Sequence, residues 1–462
     1  MPTPALLVTI PILAAAIANA IRRWSVATII VGCPTLLLLV VAVFATDSVG
    51  GSQQMAIDSF WRNSWGLFGR TLILTDQIRT ALLVVYTGFG LLFLLSTTFP
   101  QDSIFVPVSL GVLAPLAGLL MVQPSTLGVA MLLSAAGLMA VLIQGERTDS
   151  TAAAIRYLAL VALAVPLLLI AGWMTSVGQL RFLSATIILL SISILILLVA
   201  FPFLFWVPEA VDDSGSLVPV IVFGLVTLLV AVFIVTLLVV NPVIYANTQF
   251  LSILRVSGTV TIFIAGILVL TTRTAGRLLA YLLLLDVGAT VIALSNGGRT
   301  ALETLLLFIL LRSVSLLLAG AGLDRIRKII VLSPAGDKQL ADYRGLARRS
   351  PLGLALFVFG GLSLAGFPLT PGFAGRWMVI NSPAEFVESS TIIFVLSAAV
   401  GIIGILRLLR VSLKPASKTD VTTSKETKVL RIIEGLLLGA GLIVTIFPRI
   451  LAVVSRSLAN PF

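Results

Sequence analysis

The dominant feature of this sequence is a series of apolar stretches, each roughly 18 to 22 residues long, separated by short polar breaks. A helix of that length crosses the roughly 30 Å hydrocarbon core of a bilayer. Runs such as LLLLVVAVF are apolar on every face, which excludes an outer-membrane barrel, because inward-facing barrel positions are polar. With 59% hydrophobic and 11% charged residues, the chain also lacks the polar surface of a water-soluble protein. The sequence therefore predicts an all-α integral membrane protein.

The apolar stretches predict about fourteen transmembrane helices in one polytopic membrane domain. They lie near residues 4–21, 26–45, 78–97, 104–122, 126–144, 153–173, 182–206, 217–240, 251–271, 277–295, 302–322, 352–380, 390–409 and 432–454. The first stretch could be mistaken for a signal peptide, but Arg22 and Arg23 follow the apolar run instead of preceding it. We therefore expect it to be a retained first helix.

The basic residues lie in short loops between the stretches, so the formal net charge of +11 predicts membrane orientation and not nucleic-acid binding. If the N-terminus is external, the odd-numbered loops are cytoplasmic. These loops carry Arg22, Arg23, Arg147, Arg156, Arg273, Arg277, Arg325, Arg327, Lys328, Lys338, Arg344, Arg348, Arg349, Lys414, Lys418, Lys425, Lys428 and Arg431. External loops are poorer in basic residues, with Arg62 and Arg70 the main exceptions. The positive-inside rule then predicts that both termini are external.

The chain offers few residues for cofactor chemistry. Histidine is absent, and Cys33 is the single cysteine and lies within an apolar stretch, where we expect a small buried hydrophobe. There is no phosphate-binding glycine-rich loop and no nucleophile with a base. The sequence predicts no metal, no cofactor and no catalytic centre on this chain.

Two stretches contain Phe-Pro pairs where an uninterrupted helix should not. Pro202 lies in the seventh, LLVAFPFLFWVPEA, and Pro368 and Pro371 lie in the twelfth, LSLAGFPLTPGFAGRW. Proline removes a backbone donor, and irregular backbone at membrane depth survives only where protein or a water-filled cavity lines it. Two broken helices predict an inverted repeat of five-helix units, residues 104–240 and 251–409, between residues 1–98 and 432–454. The alternative is that proline is simply common in membrane helices.

Three segments resemble one family, the antiporter-like membrane subunits of respiratory complex I, subunit N above all, with their relatives in Mrp antiporters and membrane-bound hydrogenases. FPFLFWVPEA from Phe201 is similar to the family's Pro-Phe-His-Phe-Trp-x-Pro-Asp run. RLLAYLLLLDVG from Arg277 and the long segment YRGLARRSPLGLALFVFGGLSLAGFPLTPGFAGRW from Tyr343 resemble two further motifs. A weaker match is ILTDQIRTALL from Ile73. The resemblance implies fourteen helices, external termini and a place in a bacterial cytoplasmic (inner) membrane among other subunits of a complex I-like assembly.

The resemblance also implies protonatable residues along a hydrated axis, but this chain departs from that pattern. Its six lysines all lie in the two most basic loops, so none of the predicted spans contains one. Alignment puts Met131, Leu197 and one of residues 229–231 where the family has Glu, Lys and Lys. Leu204 and Asp286 replace family histidines, and Arg376 stands at a family lysine, although a guanidinium scarcely deprotonates. The lysine-glutamate switch is therefore absent from the first half of the chain.

Five residues remain as candidates for a proton path. Asp286 and Arg312 lie inside spans ten and eleven, where we expect them to face the interior, either as a structural ion pair or as a residual proton or ion site. Arg376 has either an electrostatic role on the axis or a structural role as a clamp on the broken twelfth helix. Glu209 is a loop or subunit contact or a proton entry point, and Glu303 is interfacial or part of the path.

The resemblance and the missing lysines leave two alternative functions. The first is an antiporter-like membrane-arm subunit of a redox-driven proton pump, with a degenerate channel and no redox centre of its own. The second is a non-translocating structural paralogue that holds neighbouring subunits. An unrelated secondary transporter would make the three matched segments a coincidence.

Overall fold

Helices account for nearly all of the regular structure. The computed structural model describes residues 3–45, 64–67, 70–123, 125–146, 151–177, 180–331, 343–381, 387–415 and 428–460. Its helices are α1 Thr3–Ala20, α2 Ser25–Ala45, α3 Asp76–Leu95, α4 Phe105–Met121, α5 Ser125–Gln144, α6 Ala152–Val177, α7 Leu183–Leu197, α8 Val207–Asp213, α9 Val218–Val220, α10 Thr227–Val240, α11 Pro242–Tyr245, α12 Thr248–Thr271, α13 Ala275–Leu294, α14 Gly298–Val331, α15 Leu346–Arg349, α16 Pro351–Ala365, α17 Phe373–Ile380, α18 Val387–Ser412, α19 Lys428–Ile446 and α20 Arg449–Leu458. A π-helical segment, Ile221–Val226, joins α9 to α10, and a 3-10 turn, Leu180–Phe182, precedes α7.

The membrane-spanning character of the chain is confirmed. Within the described residues, 11 helices are long and apolar enough to cross a bilayer, and three apolar helices are shorter: Phe105–Met121, Leu183–Leu197 and Pro351–Ala365. These helices occupy the apolar stretches of the sequence, so the chain is a multi-pass membrane protein. The total of fourteen crossings stays a prediction. Arg62, Arg147, Lys338, Lys418 and Lys425, which belong to the predicted charge pattern, lie outside the described residues.

The chain divides into two compact units. The first unit comprises Met1–Leu198, Leu225–Leu251 and Val454–Phe462, and the second comprises Val199–Gly224 and Ser252–Val453. In the first unit, Phe93 packs edge-to-face against both Phe89 and Phe105, each at 6.2 Å between ring centroids. The Gln77 amide of α3 donates to the Leu458 carbonyl oxygen of α20 at 2.6 Å, which ties the end of the chain to this unit.

A small antiparallel sheet is the one departure from the predicted all-helical structure among the described residues. Strands β1 Ser64–Leu67, β2 Arg70–Ile73 and β3 Val122–Gln123 pair in the order β1-β2-β3. Strands this short carry no alternation that sequence periodicity can detect. The sheet lies in the first unit, between the ends of its helices.

Each predicted repeat contains a segment without α-helix at its Phe-Pro pair, after α7 in the first repeat and after α16 in the second. Helix α7 ends at Leu197, and residues 198–206 contain no α-helix. Helix α16 ends at Ala365, and α17 begins only at Phe373. Pro202 lies in the first of these segments, and Pro368 and Pro371 lie in the second. Since proline cannot donate a backbone hydrogen bond, both segments need other groups to satisfy the peptides around them.

Candidate functional site

The second unit contains a buried ion pair between two adjacent helices. The Nε atom of Arg312 in α14 donates to Oδ2 of Asp286 in α13 at 2.6 Å, and both side chains are at most 3% exposed. Arg312 Nη2 also donates to the Thr290 hydroxyl, one turn after Asp286. At 1.5 Å per residue, Asp286 lies about 16 Å along a helix about 30 Å long. The predicted contact between Asp286 and Arg312 is therefore present, at the middle depth of α13.

Arg376 in α17 extends this pair into a cluster of three charges. Its Nη1 atom lies 3.8 Å from Oδ1 of Asp286, and its side chain is only 2% exposed. The guanidinium carbon lies 5.8 Å from the centroid of the Phe308 ring. We call Asp286, Arg312 and Arg376 the ion cluster. Two guanidinium groups and one carboxylate give it a formal net charge of +1.

Arg376 also closes the backbone at the end of α16. The last four carbonyl groups of a helix lack helical partners. Arg376 Nη2 donates to the Leu364 carbonyl oxygen at 2.9 Å, and Nη1 donates to the Gly372 carbonyl oxygen at 3.3 Å. Gly366 ends α16 with φ +82°, and a Cβ atom at this position would collide with the Arg376 guanidinium. The planar guanidinium therefore fits against a backbone that only glycine allows to approach so closely.

Two buried serines complete the network at this break. Ser363 in α16 and Ser315 in α14 share a hydrogen bond of 2.6 Å between their hydroxyl oxygens. The Ser363 hydroxyl also accepts from the backbone N–H of Gly372 at 2.8 Å, just before α17 begins. A side-chain hydroxyl thus satisfies a donor that the interrupted helix leaves without a helical acceptor.

Side-chain hydroxyls also form hydrogen bonds with the backbone of the segment after α7. The backbone N–H of Phe201 donates to Thr261 Oγ1 at 2.9 Å, and the Phe201 carbonyl oxygen accepts from the Ser257 hydroxyl. Ser257 and Thr261 are four residues apart on α12 and so lie on one face of that helix. Within the same unit the rings of Trp206 and Phe223 stack with centroids 5.3 Å apart.

The sequence matches a family model over residues 126–404, which is more than half of the chain. That family is described as NADH:quinone oxidoreductase/Mrp antiporter, transmembrane. The chain belongs to this family. For brevity we call it the antiporter family.

Curated relatives in the antiporter family include subunit N of NADH-quinone oxidoreductase. The protein from Methylovorus glucosotrophus is 25% identical over 57% of this chain and 54% of the relative. The protein from Chromohalobacter salexigens is 31% identical over 40% of this chain and 38% of the relative. The chain thus spans about half or less of the length of these relatives.

Solved structures extend the likeness in fold to nearly the whole chain. A chain of an archaeal membrane-bound sulfane sulfur reductase superposes with a TM-score of 0.79, at 16% identity over 99% of this chain and 96% of that one. A chain of the Mrp complex from Dietzia gives 0.74, at 17% identity and the same coverage. A chain of respiratory complex I from Thermus thermophilus gives 0.71, at 17% identity over 98% and 99%. At these identities the likeness shows the antiporter fold, and each of these chains is a subunit of a multi-subunit membrane complex.

The first unit of this antiporter-family chain has apolar residues at the positions where the resemblance implies glutamate and lysine. Leu197 is 9% exposed, Leu229 and Ala231 are fully buried, and Met131 is 39% exposed. Among the described residues of this unit, the buried polar side chains are hydroxyl groups, Gln77 and Arg79. Arg79 lies in the first turn of α3 and pairs with Asp76. Among the described residues of the first unit, Arg79 is therefore the one buried charged side chain.

The other two candidates do not contact the ion cluster through any hydrogen bond or ion pair seen among the described residues. Glu209 is in α8 and is half-buried. Glu303 is in the second turn of α14, where its carboxylate lies 3.4 Å from Arg299 Nε. At 1.5 Å per residue, Glu303 is about 13 Å along α14 from Arg312, which is too far for direct hydrogen bonding. Their roles in a proton path stay predictions.

Sequence reasoning missed a second buried ion pair. Glu434 in α19 is fully buried, and its Oε1 atom lies 3.0 Å from Nε of Arg325 near the end of α14. Glu434 is the one acidic residue within the predicted span 432–454, and an acidic residue inside an apolar stretch is a signal that could have identified it.

Proposed function

We propose that this chain is an antiporter-like membrane subunit of a complex I-type or Mrp-like assembly, and that it does not carry protons through a lysine relay. The ion cluster is the observation that supports the second part. A proton relay needs side chains that gain and lose protons. The ion cluster instead holds one carboxylate that contacts two guanidinium groups. A guanidinium scarcely releases its proton, so neither arginine can pass one on.

The geometry of Arg376 favours a structural role for the ion cluster. Its hydrogen bonds to the carbonyls of Leu364 and Gly372 occupy the guanidinium on both sides of the break after α16. Asp286 then balances part of the charge that this bridge brings into the membrane. A cluster of this kind holds an interrupted helix together without exchanging protons.

The wider arrangement that we propose is the one the family resemblance implies. The chain would cross a bacterial inner membrane fourteen times as two inverted five-helix repeats, with both termini external. Interrupted backbone at Pro202 and at Pro368, in corresponding places of the two repeats, supports this arrangement. Neighbouring membrane subunits would cover the helices that have wide exposed apolar faces.

A second function is favoured by the hydroxyls around the ion cluster. Thr290 contacts Arg312, and the Ser315 and Ser363 hydroxyls bond to each other within the same unit. Hydroxyl groups can relay protons, so Asp286 would be the titrating group of a residual channel in the second half of the chain.

Proton flux in the assembled complex separates the two functions. The complex that contains this chain is reconstituted into proteoliposomes, and protons moved per electron are measured for wild type and for Asp286→Asn. The asparagine keeps a side-chain oxygen that can accept a hydrogen bond from Arg312. Its amide group does not bind and release protons as a carboxylate can. We expect an unchanged ratio of protons to electrons in complexes that assemble.

Two further variants make the result interpretable. Asp76→Asn removes a carboxylate whose side chain is 93% exposed in the other unit, and it controls for the loss of a charge. Arg376→Ala removes the bridge at the break, and we expect fewer assembled complexes with the same ratio. A lower ratio in assembled Asp286→Asn complexes, with Asp76→Asn at the wild-type value, would establish the residual channel instead.

A further inference from the structure

A cavity in the first unit is unrelated to the ion cluster. It has a volume of about 190 Å³ and lies where α2 begins, α3 ends and α4 begins. This is room for about six water molecules at their volume in the liquid. The polar part of its wall includes Thr28, Ser96, Thr97, Gln101 and Asp102.

Three of the hydroxyl groups in the wall donate their hydrogens to nearby backbone carbonyls. Thr28 donates to the Ser25 carbonyl, Ser96 to the Phe93 carbonyl and Thr97 to the Leu94 carbonyl, each at 2.7 Å. A hydroxyl has one hydrogen to donate and two lone pairs that accept. Because all three hydrogens are used within the helices, these groups offer a ligand acceptors and not donors.

The Asp102 carboxylate adds a negative charge to this wall and is held in place by a neighbouring loop. The backbone N–H of Glu146 donates to Asp102 Oδ2 at 3.2 Å, and the backbone N–H of Ser103 donates to Glu146 Oε1 at 3.1 Å. Gly145, which directly precedes Glu146, has φ +63°, and a Cβ atom there would collide with Asp102. Acceptors around a carboxylate favour a cation with several N–H donors, such as a primary ammonium.

The residues that directly precede the cavity-lining Ser25 and Val26 in the chain have the opposite preference. Arg22 and Arg23, immediately before α2, are exposed, and the first-turn amides of α2 lack helical acceptors. Both features favour a phosphate. Trp24 is 71% exposed and Val26 67% exposed, as expected at the boundary between water and hydrocarbon. An exposed apolar face continues along α2 through Ile30 and further large side chains.

We propose that this cavity binds the headgroup of a phospholipid that carries a primary amine, namely phosphatidylethanolamine. The ammonium enters the cavity and donates to Asp102 and the hydroxyl oxygens, and the phosphate lies against Arg22 and Arg23. The acyl chains follow the exposed face of α2. Phosphatidylcholine has no N–H to donate, and phosphatidylglycerol has no cation, so both fit less well.

Lipid binding to the purified full chain tests this proposal by native mass spectrometry. The chain is titrated with phosphatidylethanolamine, phosphatidylcholine and phosphatidylglycerol with identical acyl chains, and with soluble phosphoethanolamine. We expect phosphatidylethanolamine to bind about tenfold more tightly than phosphatidylcholine, the effect of one charge-assisted hydrogen bond. Asp102→Asn, which keeps an acceptor for Glu146, should remove this preference, and Thr28→Val should reduce it.

Asp76→Asn is the matched control, because it neutralises an exposed carboxylate at the opposite end of α3. It should leave the preference for phosphatidylethanolamine at the wild-type value. Equal binding of phosphatidylethanolamine and phosphatidylcholine to wild type would overturn the proposal. So would an undiminished preference in folded Asp102→Asn, or binding of soluble phosphoethanolamine as tight as that of the lipid.

Discussion

Arg376 joins a buried charge to an interrupted backbone. Its guanidinium contacts Asp286 and the carbonyl oxygens of Leu364 and Gly372. A lysine, which the family resemblance implies at this position, has a single ammonium group and cannot reach all three acceptors in one plane. We therefore propose that Arg376 acts as a bridge and not as a titrating group.

Arg376→Ala should destabilise the folded chain by about 3–5 kcal/mol, since it removes one partner of a buried ion cluster and leaves carbonyls without donors. Arg376→Lys should lose less, because it keeps the charge but not the bridge. The free energy of unfolding in mixed micelles measures both effects. Arg410→Ala, at an exposed arginine near the end of α18, is the control and should change little. A loss for Arg376→Ala no larger than that of the control would contradict the bridging role.

The members of the ion cluster could be selected from the sequence because each places a charge inside an apolar stretch. Glu434 gives the same signal and could have been selected too. The contact between Arg376 and the Leu364 carbonyl could not, because it depends on the path of residues 366–372. That path includes Leu369 with φ +67°, a conformation that no local sequence rule assigns to leucine.

At the scale of elements, the two breaks share one physical solution. The segment after α7 is satisfied by hydroxyls of α12, and the segment after α16 by Ser363 and Arg376. Backbone groups at membrane depth have no water to bond, so a neighbouring side chain must supply each partner. The breaks are therefore only as stable as these side-chain hydrogen bonds.

Thr261→Val should cost about 1–3 kcal/mol, because the Phe201 N–H is left without its acceptor while the shape of the side chain is kept. Thr304→Val is the control, since the buried Thr304 hydroxyl donates within its own helix. Thermal unfolding of the two variants gives the comparison. Equal losses in Thr261→Val and Thr304→Val would show that the hydroxyl of Thr261 does not support the break.

Ser363→Ala should make the Gly372 amide exchange its hydrogen faster, by the factor that corresponds to about 1 kcal/mol for one hydrogen bond. Hydrogen exchange resolved to peptides across the start of α17 measures the change. In Ser397→Ala, which removes a hydroxyl that bonds only within α18, the same peptides should exchange at the wild-type rate. Unchanged exchange at Gly372 in Ser363→Ala would exclude the capping role.

The positions of the long helices could be read from the apolar stretches. The interpretation of the Phe-Pro pairs as points where two membrane spans are broken stays a prediction. The strands Ser64–Leu67 and Arg70–Ile73 could not be read from the sequence, because four residues are too few for a periodic pattern. The hydroxyls of Ser257 and Thr261 also gave no signal, since serine and threonine in membrane helices most often bond to their own backbone.

At the scale of the whole molecule, buried charge is distributed unequally. The second unit holds the ion cluster and the pair between Arg325 and Glu434. In the first unit, the described residues are apolar and buried where the family resemblance implies lysine, and Met131, where it implies glutamate, is 39% exposed. The chain has the antiporter fold. That its first half has lost the titratable groups of a proton channel is our proposal. The two units are defined by packing and are not continuous in the chain, because residues 199–224 group with residues 252–453. The repeats predicted from the sequence could not indicate this grouping.

The charge state of Asp286 during turnover tests the absence of a proton relay most directly. Infrared difference spectra of the reconstituted complex, recorded between the resting and working states, report each carboxyl group that gains or loses a proton. We predict that wild type and Asp286→Asn give the same bands in the region of protonated carboxyl groups. A band that appears during turnover in wild type and is missing in Asp286→Asn would contradict a fixed ion cluster and show that this carboxylate carries protons.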